Sequence, residues 1–204
     1  LSNAEEKTRP SLPTQSPVHH PFYCEENIWH LCQTFPSQTP RPLVLFISNP
    51  GRTVLFCNQR AGDERGIVVW DYHVVLLASG TEWQVWDLDA KGGYPQACST
   101  YLAQAFPHLW ESTSRSSPPT MTGDWNVPTT FAPSFRVVPA ETYSRMFASD
   151  RRHMRDGNHQ WTQSPPPWPC IGQGHTLDEF IDVERRTHGE VLDFEGFFER
   201  YACQ

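Results

Sequence analysis

Apolar residues recur at three- and four-residue intervals through Ile28, Leu31, Cys32 and Phe35, so "CEENIWHLCQTF" (24–35) predicts an amphipathic helix. Glu25 and Glu26 fall in its first turn, where acidic side chains suit the helix dipole, and Pro36 ends it. A continuous apolar run, "PLVLFIS" (42–48), predicts a buried strand closed by the turn "NPG", and "TVLFCNQ" (53–59) predicts its partner. "IVVWDYHVVLLAS" (67–79) predicts a long strand. "TEWQVWDLD" (81–89) alternates, with Trp83, Val85 and Asp87 sharing one face, and the turn at Ser79-Gly80-Thr81 joins the two runs as a hairpin. Further along, the pattern predicts a helix from Cys98 to at least Phe106, a strand at 134–140 and a helix at 140–150. "SPPPWPC" (164–170) reads as a stiff extended segment, and short helices follow at 176–182 and 193–201. These elements predict an α/β (α+β) fold in which a central antiparallel sheet is flanked by helices.

Organisation follows from where the pattern fails. Residues 1–20 are polar and proline-containing and predict a disordered tail, with 1–4 read as a cloning remnant and set aside. Residues 21–204 predict a single domain. The Ser/Thr/Pro-rich stretch at 112–134 predicts a long surface loop rather than a linker, because too little chain follows for a second core.

Composition narrows the function. The 204 residues carry a formal charge of −7, and the one basic patch, Arg151-Arg152 with Arg155, is too small to counter it; both argue against a nucleic-acid partner. There is no apolar run of membrane-spanning length and no secretory pattern at the N-terminus. The six cysteines, Cys24, Cys32, Cys57, Cys98, Cys170 and Cys203, have no small disulfide scaffold to staple, so reduced thiols in an intracellular protein are expected. Cys-x-x-Cys pairs are absent, and His19-His20 falls in the expected tail, so no metal and no organic cofactor is expected.

Candidate chemistry starts from the hairpin. Taking Gly80 as the centre of the turn sets His73 opposite Asp87, with Cβ atoms roughly 4.5–5.5 Å apart, close enough for a carboxylate to fix the imidazole tautomer. A slip of one residue would put them on opposite faces. The pair is equally compatible with a satisfied core histidine and a solvated acid. Cys24 would complete a catalytic unit. At the helix start, unpaired backbone N–H groups lower a thiol pKa and can hold an oxyanion; buried structural thiol is the competing reading. Helix-borne Cys with strand-borne His and acid is the arrangement of papain-like and transglutaminase-like enzymes. Glu25, Glu26 and Asp71 are candidate acids for a cationic substrate group, with plain helix-terminal or structural roles as the alternative. Tyr23, Trp70 and Tyr72 are candidate pocket aromatics, although a regular strand would turn Trp70 and Tyr72 away from His73, into the core.

"YCEENIW" (23–29), "FISN" (46–49), "VWDYHVVLL" (69–77), "DLD" (87–89), "FASDRRHM" (147–154) and "PPPWPCI" (165–171) occur in this order. Together they resemble the N-terminal glutamine amidohydrolase family of the Arg/N-degron pathway, from about residue 21 to near the C-terminus; the long 112–134 stretch departs from it. The resemblance implies a transglutaminase-like, papain-like cysteine hydrolase fold with a Cys24-His73-Asp87 triad and no cofactor. It also implies substrates that are proteins or peptides with a free N-terminal Gln, converted to Glu with release of ammonia. Glu25, Asp71 and Tyr23 are the expected substrate-binding residues. The expected protein is a cytoplasmic monomer, present also in the nucleus. A transglutaminase, a thiol protease and a non-catalytic N-terminus-binding module are the rival readings.

Overall fold

The computed structural model describes residues 12–36, 41–113 and 126–203. Its centre is a six-stranded antiparallel sheet built from β1 (Leu43–Ser48), β4 (His73–Ser79), β5 (Trp83–Trp86), β6 (Gln96–Ala97), β7 (Ser134–Pro139) and β8 (Glu190–Asp193), in the order β6-β5-β4-β1-β7-β8. The two most apolar runs, β1 and β4, lie side by side in the middle. Strands buried on both faces need such continuous apolar sequence.

Alternate residues of these strands feed two cores. Val44, Phe46, Val74 and Leu76 face α1 (Cys24–Gln33), α4 (Ala140–Met146) and α5 (Leu177–Ile181). Leu45, Ile47, Val75, Leu77 and Phe135 face α2 (Cys98–Ala105) and α6 (Phe194–Tyr201). Ile28 and Leu31 seat α1 on the first face, each worth roughly 1.5–3 kcal/mol of burial. On the same face Arg136 is wholly buried. Its guanidinium donates to the carbonyls of Phe180, Asp182, Arg185 and Thr187, tying the chain after α5 to β7.

Several local expectations are corrected. The run at 53–59 does not pair with β1. It supplies β2 (Val54–Phe56), which joins β3 (Val68–Trp70) in a separate two-stranded sheet. The long run at 67–79 is two strands, broken at Asp71-Tyr72 between β3 and β4. The β4–β5 register runs from Leu76 opposite Trp86 to Ser79 opposite Trp83, so continuing it would set Asp89, not Asp87, opposite His73. The loop is longer than the assumed turn, and the ladder ends at Trp86 before either acid is reached. The helix after Cys98 is divided by Pro107 into α2 and α3 (Pro107–Thr113), and β8 went unseen in the sequence.

The expected disordered tail lies partly outside the described residues, but 12–20 run along the domain. The Thr14 amide donates to the Thr34 carbonyl, and the Asn27 side chain both accepts from and donates to the backbone of His20, at 2.8 and 2.9 Å. Of the 112–134 loop, 114–125 lie outside the described residues, 112–113 complete α3, and a short 3-10 turn spans Thr129–Phe131. All six cysteines are free thiols. No helix among the described residues is long and apolar enough to cross a membrane.

Candidate active site

The break between β3 and β4 creates the site. A continuous strand would send Trp70 and Tyr72 to one face and Asp71 and His73 to the other. With the strand interrupted, all four line a single cavity of about 410 Å³, together with Cys24, Asp89, His153 and His175. Tyr72, buried in the same core as Cys24, and Trp70, half-buried against the other core, thus wall the cavity as well.

His73 opens β4, 2 % exposed, and its Nε2 lies 2.9 Å from Asp87 Oδ1. Phe56 meets the imidazole edge-on at 5.4 Å and Trp70 stacks on it at 6.3 Å, which fixes the ring plane. Asp87 is saturated with donors. Gln59 Nε2 gives to Oδ2 at 2.8 Å, the Tyr101 hydroxyl from α2 gives to Oδ2 at 3.2 Å, and the Asp89 amide gives to Oδ1 at 3.0 Å. Burial alone would raise the Asp87 pKa, but His73 and these donors hold it below the ordinary carboxylate value. Burial likewise works against a charged His73, yet the charge and hydrogen bond of Asp87 outweigh it and hold the imidazole above its ordinary pKa. The parity of the hairpin argument survives its register error: Asp87 stays on the His73 side and reaches it diagonally from beyond the ladder's end.

Cys24 is the first residue of α1, and the backbone of Val74, next in the chain to His73, acts to lower its thiol pKa. The expected thiolate is not the resting form. Burial pushes the thiol pKa well above its ordinary value, the charges of Glu25 and Asp89 push it further, and the Val74 amide opposes them too weakly. In this neutral form the thiol donates to Glu25 Oε2 at 3.7 Å.

Glu25 and Glu26 are not solvated first-turn acids; both are 0 % exposed. Glu25 accepts from the Tyr72 hydroxyl at 3.1 Å and lies 3.2 Å from His153 Nε2 without hydrogen-bond geometry. Glu26 takes a bidentate pair of bonds from Arg151, at 2.8 Å each, and one from the Trp168 indole at 2.6 Å. The pair pins the start of α1 to the segments "ASDRRHM" and "PPPWPC". Neither glutamate lines the cavity. Nor does Tyr23, which is buried against Arg151 with its hydroxyl on the Gln163 carbonyl. Asp71 does line it, exposed, with Oδ1 accepting from the Tyr72 amide at 3.0 Å.

Sequence reasoning missed His19, Gln59, Asp89, Tyr101, His153 and His175. Only Asp89 left a local signal, two residues past Asp87 in "DLD", where a strand returns to the same face. His73, Asp87 and Asp89 each bring a potential ligand atom within 4.8 Å of one another. The N–H and O–H donors already filling both Asp87 oxygens suit an acid that holds a histidine better than one that holds a metal.

Enzymes use groupings of this kind, a histidine clamped to a buried acid in a cavity shared with a cysteine, for proton transfer and nucleophilic attack. The chain belongs to the N-terminal glutamine amidase family, whose model matches residues 19–201. It is 35 % identical over 204 residues to the human protein N-terminal glutamine amidohydrolase, covering 95 % of this chain and 92 % of that one. The proteins of the same name from Drosophila melanogaster and Arabidopsis thaliana are 34 % identical (88 % of this chain, 85 % of the relative) and 33 % identical (80 % and 74 %).

Proposed function

We propose that this protein hydrolyses the side-chain carboxamide of an N-terminal glutamine, in proteins and peptides, to glutamate and ammonia, with Cys24, His73 and Asp87 as a catalytic triad on a transglutaminase-like fold. The observation that carries this reading is the buried His73–Asp87 hydrogen bond of 2.9 Å in the wall of the cavity that Cys24 also lines.

The chemistry starts from a neutral thiol. Asp87 occupies Nε2 of His73, which leaves Nδ1 to take the Cys24 proton while the sulfur attacks the carboxamide carbon. The imidazolium so formed is the state that Asp87 favours. The backbone N–H groups of the first turn of α1, which have no partners within the helix, face the developing oxyanion. His73 returns the proton to the departing nitrogen, and ammonia leaves behind a thioester. His73 then deprotonates a water, which attacks the thioester, and glutamate is released with the thiol restored. Each turnover consumes one water and one carboxamide and yields one carboxylate and one ammonia. The new N-terminal glutamate would feed the Arg/N-degron pathway. The reading places the protein in the cytoplasm and nucleus as a monomer, and six free thiols suit such a reducing compartment.

The test is mass spectrometry of a Gln-initiated peptide incubated with the protein. The expected gain is about one mass unit, from NH2 replaced by OH, without backbone cleavage or cross-linking to added amines. Cys24→Ala should reduce turnover to background with the thermal unfolding transition retained. Full activity in that variant sinks the triad.

A further inference from the structure

An enzyme that acts on glutamine only at a chain terminus needs an acceptor for the α-ammonium group. Among the described residues, the acids lining the cavity are Asp71, Asp89 and Asp178. Asp178 lies at the surface, paired with Arg52 at 2.9 Å. Asp71 is exposed and turned back onto the amide of its own neighbour. Asp89 differs from both. Its side chain is 13 % exposed, it approaches His73 and Asp87 within 4.8 Å, and its Oδ1 already holds a nitrogen donor, His19 Nε2, at 2.7 Å.

His19 reaches Asp89 from the arm that precedes α1, which the clamp between Asn27 and the His20 backbone holds in place. Pro21 and Phe22 of the same arm also enter the cavity, Phe22 in the left-handed region at φ 67°. The imidazole therefore sits where a nitrogen donor is accepted, beside the reacting residues. In an extended glutamine the α-nitrogen is about 5 Å from the carboxamide carbon, so an anchor for it belongs within one further hydrogen bond of that radius.

We infer that Asp89 binds the α-ammonium of the N-terminal residue and that His19 is a resident donor which the substrate displaces. This assignment rests on the deamidase reading and adds to it the basis of N-terminus selection. It has a second consequence: Asp89 is one of the acids whose charge opposes ionisation of Cys24. An ammonium bound there offsets that charge, so binding a protonated N-terminus also eases proton loss from the nucleophile. A peptide without the ammonium gains neither the contact nor the activation.

The experiment compares two peptides of identical sequence, one beginning with Gln and one beginning with its desamino analogue, the 5-amino-5-oxopentanoyl group. The second keeps the carboxamide and lacks the α-amino group. Ammonia release is followed for both with the full chain, and the readout is the ratio of kcat/KM values. Wild type should prefer the Gln peptide by at least about tenfold, the scale of a charged hydrogen bond. Asp89→Asn should bring the ratio close to one, mainly through KM for the Gln peptide. His19→Ala should move it the other way, raising the preference several-fold by freeing Asp89, and this arm decides the matter even where Asp89→Asn fails to fold. An undiminished preference in folded Asp89→Asn, equal loss of both substrates in it, or an unchanged ratio in His19→Ala overturns the anchor while leaving deamidation intact. No ammonia from the Gln peptide with wild type overturns the deamidase reading itself.

Discussion

Glu26 and Asp87 are both carboxylates sealed inside the protein, 0 % and 1 % exposed, and each faces a nitrogen base across a short hydrogen bond. Glu26 faces Arg151, whose guanidinium keeps its proton at any pH the fold survives. Asp87 faces His73, an imidazole whose ordinary pKa lies near neutrality and which, unlike a guanidinium, can give up its proton. The first pair is walled in by Trp168 and the carbonyls of Pro166, Trp168 and Pro169, while the second opens on a cavity. They bracket Cys24: one holds the backbone from which the thiol projects, the other shares its cavity. Burial of an ion pair is thus no mark of function by itself. What separates strut from machinery is whether the base can let go of its proton, and whether solvent or substrate can reach it.

The comparison can be broken at several points. The largest effect should come from Asp87→Asn, which keeps the shape but removes the charge that favours the imidazolium. On the proposed mechanism kcat falls about 10²–10⁴-fold, the usual worth of acid–base assistance. Near-wild-type kcat in folded Asp87→Asn would show that the pair is another strut. Next comes Glu26→Ala, which strands the Arg151 charge in the interior and should cost about 3–5 kcal/mol of stability, read from urea unfolding. A loss below about 1 kcal/mol would mean that the pair carries little of the fold.

The pH dependence sharpens the contrast. His73 is held above the ordinary imidazole value of 6.5 and Asp87 below the ordinary carboxylate value of 3.8. The mutual stabilisation of this pair is therefore fully present between those two values. It is lost as pH rises through the folded pKa of His73, and as pH falls through that of Asp87. The stability gap between wild type and Asp87→Asn should narrow from pH 6 to pH 9, whereas the gap between wild type and Glu26→Ala should stay level over that range, because Arg151 remains charged. Parallel behaviour of the two gaps would contradict the distinction. The smallest effect is expected from Asp178→Asn, which breaks the Arg52 pair between side chains 47 % and 63 % exposed. Screening by water limits the change to less than about 1 kcal/mol, and it should shrink further in high salt.

Much of this was legible before any coordinates. The continuous apolar runs of β1 and β4 announced central strands, and the three-and-four spacing through Ile28 and Leu31 announced the buried face of α1, because both are local periodicities that a core must satisfy. The Cys24, His73 and Asp87 positions were legible for a similar reason: a helix start and a hairpin bring particular residues to particular places with little help from the rest of the chain. The error in the hairpin register did no harm to the His73–Asp87 pairing, since a shift that preserves parity keeps a side chain on its face.

Tertiary structure alone decided what surrounds those residues. The break at Asp71-Tyr72 follows from β3 pairing with β2 while β4 pairs with β1, a choice between partners distant in sequence that no local pattern encodes. It brought Trp70 and Tyr72, which still pack against the cores, to the cavity wall. The protonated state of Cys24 was decided the same way: the helix terminus favours ionisation, but burial together with Glu25 and Asp89 outweighs it, and burial is a property of the whole fold. Glu25 and Glu26 read as helix-end acids or substrate anchors because nothing nearby in sequence reveals Tyr72, His153, Arg151 or Trp168 folding over them. The sequence determined which groups could carry the chemistry; packing from remote segments set their charge, their partners and their access to a substrate.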